Sequence, residues 1–210
     1  MIQVIGFIDL VCNFVTINKD RKKMKKVLLV AGHTDLNNDS VANKTIIEEF
    51  HRLMPDAELD ILCELYPDYC IDIKAEQQKL VNADVIVLQF PVFWYSQPSL
   101  MHKWMEDTFR HGFSHGSSGK ALVGKKLIAS FTAGAPAEAY ASNGPMGYTI
   151  EEMIMPAIDG TARLTGMQLL PPVYTFGVSY SSRNNPEVLT HMIAISKDHA
   201  RRLFDEINAI

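Results

Sequence analysis

The sequence has few cysteines, and none of the three is placed to form a paired motif. Cys12, Cys63 and Cys70 are an odd number and include no CxxC spacing. Separated, unmatched cysteines are typical of free thiols in a reducing compartment rather than of a disulfide framework. We therefore expect a cytoplasmic protein.

Long apolar segments and an excess of positive charge are also missing. No apolar run approaches the ~20 residues that span a bilayer. The apolar segment from Ile2 to Ile17 is interrupted by Asp9 and has no basic region before it, so it makes a poor signal peptide. The formal net charge of -4 disfavours a nucleic-acid partner, which would require a basic face. With 47% hydrophobic residues among 210, the chain can form one domain with a sizeable core.

The common nucleotide-binding motifs are absent as well. The sequence contains no G-x-G-x-x-G and no Walker lysine motif, which disfavours a Rossmann dinucleotide site and a P-loop. His111 and His115 are four residues apart, but their segment is glycine-rich and has no carboxylates nearby. We therefore predict no metal site.

The most informative segment is an apolar strand followed by an aromatic loop. Val85–Leu88 is short and β-branched, as in a buried parallel strand, and the strand is expected to end at Pro91. The aromatic residues Phe93–Tyr95 follow at once, and Pro98 fits the first turn of a helix. Such a loop binds cofactors in open α/β sheets, although aromatic residues that only cap the core would give the same pattern.

The rest of the chain alternates between predicted strands and helices. Further strands are predicted at Val27–Val30, Ala57–Leu65, Lys126–Thr132 and Met167–Val178, the last interrupted by Pro171 and Pro172. Helices are predicted after Ser40, over Asp72–Ala83, after Pro98, over Tyr148–Leu164 and over Pro186–Ile207. Pro156 is expected to kink or break its helix, and Glu76 and Lys79 are expected on a solvated helix face.

The chain is expected to form one functional domain over residues 24–210. Residues 1–23 are predicted to be an N-terminal extension, either disordered or an incorrectly assigned start, because a convincing first strand begins only at Val27. Five strands that alternate with helices predict an α/β fold with a parallel sheet covered on both faces. One such arrangement is a flavodoxin-like three-layer sandwich, in which the five parallel strands have the order 2-1-3-4-5.

In that order, three loops lie at the carboxyl edge of neighbouring strands. The loop His33–Asn43 leads to a helix N-terminus that suits a phosphate, although an ordinary helix capped by Asp39 or Ser40 would look the same. Pro91–Gln97 supplies aromatic side chains, and Thr132–Tyr140 supplies small residues that allow close approach of a ligand. Together the three loops predict a flavin site.

Several segments carry a family resemblance. They are Asp72–Leu80, Ala83-Asp84, the Gln-Phe-Pro-x-x-Trp-Tyr segment Gln89–Tyr95, Lys103-Trp104 and Phe109. In these segments the chain resembles the NAD(P)H:quinone oxidoreductase family, which includes DT-diaphorase and the ancillary flavoprotein of glutathione-gated potassium efflux systems. The resemblance runs from about Lys25 to the C-terminus and is weaker after Tyr148.

The resemblance implies a flavodoxin-like fold, bound FMN or FAD, and ping-pong hydride transfer from NADH or NADPH to a quinone or a similar acceptor such as an azo or nitro compound. It also implies a homodimer with the active site at the interface. FMN is the preferred cofactor, because the segment around Cys63–Ile71 offers no evident place for the adenine of FAD.

The resemblance assigns roles to individual residues. The expected cofactor-binding residues are His33, Ser40, Val41, Ala42, Asn43, Pro91, Val92, Phe93, Trp94, Tyr95, Thr132, Ala133, Gly134 and Ala135. Tyr140 falls on the active-site tyrosine and is the expected catalytic residue. One departure is Met146, which stands where the mammalian enzymes have a proton-transferring histidine. The closest histidine in this half, His191, is predicted on the last helix.

Two other functions remain open for such a chain. The main alternative is a redox-sensing, flavodoxin-like regulatory subunit that contacts a membrane potassium efflux transporter, which the loss of the histidine at Met146 would permit. A one-electron carrier flavodoxin is less consistent with the sequence, because such carriers are strongly acidic and this chain has a net charge of only -4.

Overall fold

The computed structural model describes residues 25–210. The extension predicted for residues 1–23 therefore lies outside the described residues, as does the expected domain start at Met24. All strands and helices below belong to the described part of the chain.

A parallel sheet forms the middle layer of the fold. Its strands are β1 (Val27–Ala31), β2 (Glu58–Ile61), β3 (Val85–Pro91), β4 (Lys126–Thr132), β5 (Gln168–Leu169) and β6 (Val173–Thr175). Their order is β2-β1-β3-β4-β5, and β6 also pairs with β4. Leu88 lies beside Val30 of β1 and beside Ala129 of β4. The predicted order 2-1-3-4-5 is confirmed, with β5 and β6 together occupying the fifth position.

Helices cover both faces of the sheet. They are α1 (Ala42–Leu53), the single turn α2 (Leu62–Leu65), α3 (Ile73–Asn82), α4 (Ser99–Thr108), α5 (Ile150–Thr165) and α6 (Pro186–Ala209). Alternate strand residues point to opposite faces, so Leu28 packs in the core under α3, α4 and α5, whereas Leu29 packs under α1 and α6. The three-layer sandwich is therefore confirmed.

Two elements differ from the sequence prediction. The second strand ends at Ile61 instead of Leu65, because the apolar residues after it form the turn α2. Pro156 lies inside a continuous α5 and does not break it. The carbonyl that proline leaves unpaired belongs to Glu152, an exposed residue, so water can bond to it. The helix is further stabilised by a capping box between Thr149 and Glu152.

The expectation that Glu76 and Lys79 are solvated is wrong for Glu76, whose exposed fraction is 0%. Its carboxylate accepts hydrogen bonds from Tyr66 Oη at 2.6 Å, Trp104 Nε1 at 2.7 Å and Lys79 Nζ at 2.7 Å. Lys79 Nζ also bonds Asp60 at 2.5 Å. Burial, together with the adjacent Glu76 carboxylate, raises the pKa of Asp60 to about 7. The bond from Trp104 joins α4 to α3, and the bond between Lys79 and Asp60 joins α3 to β2.

Replacing Glu76 with alanine tests this buried cluster. Glu76→Ala would leave the donors of Tyr66 and Trp104 without their acceptor and Lys79 with Asp60 as its remaining carboxylate partner, so we expect the free energy of unfolding to fall by about 3–5 kcal/mol. The measurement is urea denaturation at neutral pH. The matched control is Lys74→Ala on the exposed side of the same helix, which should change stability by less than about 0.5 kcal/mol. Equal midpoints for the two variants would contradict the structural role of the cluster.

Candidate functional site

The ends of three neighbouring strands are joined into one surface at the carboxyl edge of the sheet. Gly32 N–H donates to the carbonyl of Gln89 at 2.9 Å, which ties the loop after β1 to β3. Val92 N–H donates to the carbonyl of Thr132 at 2.8 Å, and Ala133 N–H donates to that of Thr175 at 2.9 Å. The predicted adjacency of the three loops is therefore what the structure has. This edge is where open α/β sheets bind ligands.

Gly32 is required where the first loop crosses α4. A Cβ added at this position would lie 2.7 Å from side-chain atoms of Met101. The loop thus passes closer to the helix than any side chain would allow, and this close approach holds the residues that follow over the ends of the strands.

His33 is buried beneath the edge, with an exposed fraction of 3%. Its Nδ1 accepts a hydrogen bond from Asp35 N–H at 3.1 Å, and its ring meets Phe93 edge-on at a centroid distance of 5.5 Å. Burial lowers the pKa of His33, so the imidazole is neutral at neutral pH. His33 thereby links the first loop to the aromatic loop and does not line the outer surface itself.

The N-terminus of α1 lies at this edge without a capping side chain. The alternative interpretation, an ordinary helix capped by Asp39 or Ser40, is wrong: the N-cap is Val41, and no side chain accepts a hydrogen bond there. The first helical bond runs from Thr45 N–H to the Val41 carbonyl at 3.0 Å. The first-turn N–H groups of Ala42 and Asn43 and the positive end of the helix dipole can therefore bind an anion.

Behind this helix end lies a buried network of polar side chains. Gln89 Nε2 donates to Asn43 Oδ1 at 2.8 Å, and Asn43 Nδ2 donates to Thr132 Oγ1 at 3.0 Å. Ser130 Oγ donates to Gln89 Oε1 at 2.6 Å. The bonds hold two predicted site residues, Asn43 and Thr132, in fixed orientations. Ser130 was not predicted from the sequence. A signal was present, because Ser130 and Gln89 are both polar residues inside apolar strands, and buried polar groups need hydrogen-bond partners.

The aromatic loop is a tight turn with unusual backbone angles. Phe93 and Ser96 exchange two backbone hydrogen bonds of 3.0 Å, and the residues between them have positive φ, 48° at Trp94 and 63° at Tyr95. This is the pattern of a type I′ turn, in which glycine and asparagine are preferred. Large side chains kept at such a strained turn are a common mark of functional sites.

The exposure of these rings decides between two interpretations of the loop. Trp94 is 94% exposed and Tyr95 is 52% exposed, so neither ring caps the core. Only Phe93 is half-buried. The rings at the tip of the turn are presented outward from the edge of the sheet, where they can form a wall for a ligand.

Tyr140 lies close to this turn. It ends a short 3₁₀ helix (Ala137–Tyr140), is half-buried and stacks on Phe176 at a centroid distance of 5.5 Å. Burial and the nearby Tyr95 phenol raise the pKa of Tyr140, so its hydroxyl keeps its proton and can donate. Met146, whose side chain cannot carry a proton, lies close to this tyrosine in the fold, because its N–H donates to the carbonyl of the adjacent Ala139 at 3.4 Å. His191 is on α6, as predicted.

The small loop after β4 offers mainly backbone groups. Ala133 is buried, Gly134 is exposed and Ala135 is half-buried. Gly177 N–H donates to the Ala135 carbonyl at 3.0 Å, which fixes the loop against the segment after β6.

Within residues 25–210, no group of three or more His, Cys, Asp or Glu side chains could hold a metal ion. In that same range, no helix is long and apolar enough to cross a membrane.

Glycine at position 94 tests the strain in the turn. Trp94→Gly removes an exposed side chain and also the strain of a non-glycine residue in the left-handed conformation, which is about 1–2 kcal/mol. We therefore expect the free energy of unfolding to stay equal or to rise by about 1 kcal/mol. The matched control is Leu164→Gly, because Leu164 is a large apolar residue that is 65% exposed but lies in a helix. Leu164→Gly should lower the free energy of unfolding by about 1 kcal/mol, because glycine is unfavourable in a helix. Urea denaturation of both variants and of the wild type, at a protein concentration low enough to dissociate any dimer, gives the comparison. A loss of stability in Trp94→Gly as large as in the control would contradict the strain.

Comparisons with known proteins agree with this geometry. A family model described as having a flavodoxin-like fold matches residues 25–198. A Bacillus subtilis protein named as the uncharacterised NAD(P)H oxidoreductase YrkL is 34% identical over 186 residues, which cover 88% of this chain and 98% of the relative. The glutathione-regulated potassium-efflux system ancillary protein KefG of Serratia proteamaculans is 37% identical over 164 residues, which cover 78% of this chain and 86% of the relative.

Solved structures are similar as well. The crystal structure of general stress protein 14 from Treponema denticola in complex with FMN superposes with a TM-score of 0.69 and 25% sequence identity, covering 83% of this chain and 99% of that one. The parallel sheet, the matched residues and these relatives confirm the resemblance found in the sequence: the chain belongs to the family of proteins with a flavodoxin-like fold.

Proposed function

We propose that this protein is a flavin-dependent NAD(P)H oxidoreductase that reduces quinones or similar two-electron acceptors. The observation that carries the proposal is the meeting, at one sheet edge, of the uncapped start of α1, the outward aromatic turn at Trp94 and the protonated hydroxyl of Tyr140. These are an anion site, a wall for a flat ring system and a hydrogen-bond donor. A relative named as an NAD(P)H oxidoreductase supports the same activity.

FMN is the cofactor that these residues fit. The first-turn N–H groups of Ala42 and Asn43, with the nearby Ser40, would hold one phosphate. Backbone groups of Val92–Tyr95 and Thr132–Ala135 would hold the ring system from two sides. The FMN complex of a similar structure supports this choice over FAD. Bound FMN would supply the hydride chemistry, taking a hydride from NADH or NADPH and passing it to the acceptor.

The protein's own residues would position the reactants and provide a proton donor. Trp94 and Tyr95 would border the pocket in which the nicotinamide and then the acceptor bind, excluding water from the reacting face. Tyr140 would donate a hydrogen bond to an acceptor oxygen, since its raised pKa keeps its hydroxyl protonated. Met146 cannot share that role. Tyr140 is therefore the proposed catalytic residue.

Anaerobic reduction and reoxidation test this function. The purified protein is loaded with FMN or FAD, reduced with NADH or NADPH while its visible absorbance is followed, and then mixed with menadione. We expect the flavin bands to bleach and return, with multiple turnovers by the chain alone. In Tyr140→Phe, we expect normal reduction but about tenfold slower reoxidation, the effect of losing one hydrogen bond. A wild-type protein that retains no flavin would contradict the proposal.

The same experiment separates a second candidate, an ancillary subunit that contacts a membrane potassium efflux transporter. The similarity to a KefG protein is the observation that favours it. A chain that binds FMN and is reduced, but does not turn over with any quinone, azo or nitro acceptor, would favour this regulatory function over the enzyme.

We further propose a homodimer whose interface includes the aromatic turn. A tryptophan that is 94% exposed next to an exposed tyrosine is unfavourable in a monomer and typical of an interface anchor. Light scattering should give the mass of a dimer, and Trp94→Glu should dissociate it. Leu164→Glu, which changes an exposed residue at the C-terminal end of α5, should leave the dimer intact. A monomeric wild-type protein would contradict the shared site.

A further inference from the structure

A line of hydrogen bonds runs from the surface of α6, along the face of the sheet that α1 and α6 cover, to the candidate site. At its outer end, Arg202 Nη2 donates to Thr175 Oγ1 at 2.8 Å. Thr175 Oγ1 is 2.9 Å from Nδ1 of the buried His199, and His199 Nε2 is 2.7 Å from Ser130 Oγ. Ser130 then connects through Gln89 to the two site residues already described, Asn43 and Thr132.

The direction of these bonds is fixed at the outer end. Hydroxyl and neutral imidazole groups can exchange donor and acceptor roles, and an amide exchanges them by turning over. With the Gln89 and Asn43 amides turned over, the inner part of the line would run in the opposite direction. A guanidinium has no acceptor atom. Because Arg202 donates to Thr175 Oγ1, that oxygen completes its bonding by donating its own proton to His199 Nδ1. In the opposite direction, Thr175 would accept from both Arg202 and His199, and its proton would have no partner in the line.

The protonation of His199 follows from this direction. An Nδ1 that accepts from Thr175 leaves the proton of a neutral imidazole on Nε2, which donates to Ser130 Oγ. Ser130 then donates to Gln89 Oε1, Gln89 Nε2 to Asn43 Oδ1, and Asn43 Nδ2 to Thr132 Oγ1. Burial, and to a lesser extent the charge of Arg202, lower the pKa of His199 to about 3, so the imidazole is neutral in ordinary conditions.

We infer that Arg202 and His199 are positioning residues for the ligand site, because they polarise this line so that the Thr132 hydroxyl presents its proton to an acceptor atom of the bound cofactor. Thr132 Oγ1 already accepts from Asn43 at 3.0 Å, which leaves its own hydrogen for a ligand at the carboxyl edge. Asn43 is held at the start of α1 by the same bonds. The inference rests on the proposed function only in naming the cofactor as the ligand.

The first test is the tautomer of His199 in the protein without cofactor, read from ¹⁵N NMR of the imidazole nitrogens. We expect the Nε2-protonated form in the wild type. Arg202→Met should shift His199 to the Nδ1-protonated form or to a mixture. Arg202→Lys should restore the wild-type form, because an ammonium is also a pure donor. The matched control is Arg201→Met, an exposed cation at the neighbouring position of the same helix, which should change nothing. An unchanged His199 tautomer in Arg202→Met would overturn the inference.

The second test is the dissociation constant of FMN, measured by quenching of flavin fluorescence. We expect about a tenfold weaker affinity in Arg202→Met and in Thr132→Val, corresponding to one lost hydrogen bond, with recovery in Arg202→Lys and no change in Arg201→Met. Urea denaturation of the same variants shows whether each is folded under the binding conditions. A tautomer shift without any loss of FMN affinity would overturn the positioning role. If the wild type bound neither FMN nor FAD, the proposed function would fail, while the His199 tautomer would still decide whether Arg202 polarises the line.

Discussion

The parallel pairing of β3 with β1 on one side and β4 on the other is the constraint on which the remaining structure depends. All seven residues of β3 are buried, so both of its faces need helical cover and its hydrogen bonds need two neighbouring strands. With the strands in register, their carboxyl ends finish at one edge. The three loops therefore meet without any direct sequence relation among them, and the site is a consequence of the sheet.

The same burial has a second effect, because polar groups placed in this sheet must find partners inside it. Gln89 and Ser130 lie on adjacent strands and form a hydrogen bond with each other. Gln89 also donates to Asn43, and Ser130 also bonds to His199. A buried amide without partners would cost more than the bond itself provides. Residues that secure the core are therefore also residues that orient the site. On the other face of the sheet, the buried Glu76 carboxylate likewise meets its hydrogen-bond donors inside the fold, in Tyr66, Trp104 and Lys79.

Much of the fold was predictable because its pattern is local. Apolar β-branched runs, helical periodicity and the prolines at 91 and 98 are visible in the sequence. The parallel sheet followed from the alternation of strands and helices, and its strand order from the family resemblance. The loops of the site were predictable for the same reason. The features that were missed depend on contacts distant in sequence. The buried Glu76 accepts a hydrogen bond from Trp104 of another helix, and His199 bonds to Ser130, 69 residues away. The strained φ of Trp94 was also hidden, since no composition rule places tryptophan there.

The division of the fifth sheet position into β5 and β6 has a consequence for how the folded chain behaves beside its own copies. A long open edge would offer a row of free N–H and C=O groups on which another chain could extend the sheet. Here the two pieces are two and three residues long, and Pro171 and Pro172 between them supply no N–H group. At the opposite edge, β2 has only four residues. Both ends of the sheet are thus poor templates for strand addition, which protects the fold against edge-to-edge aggregation.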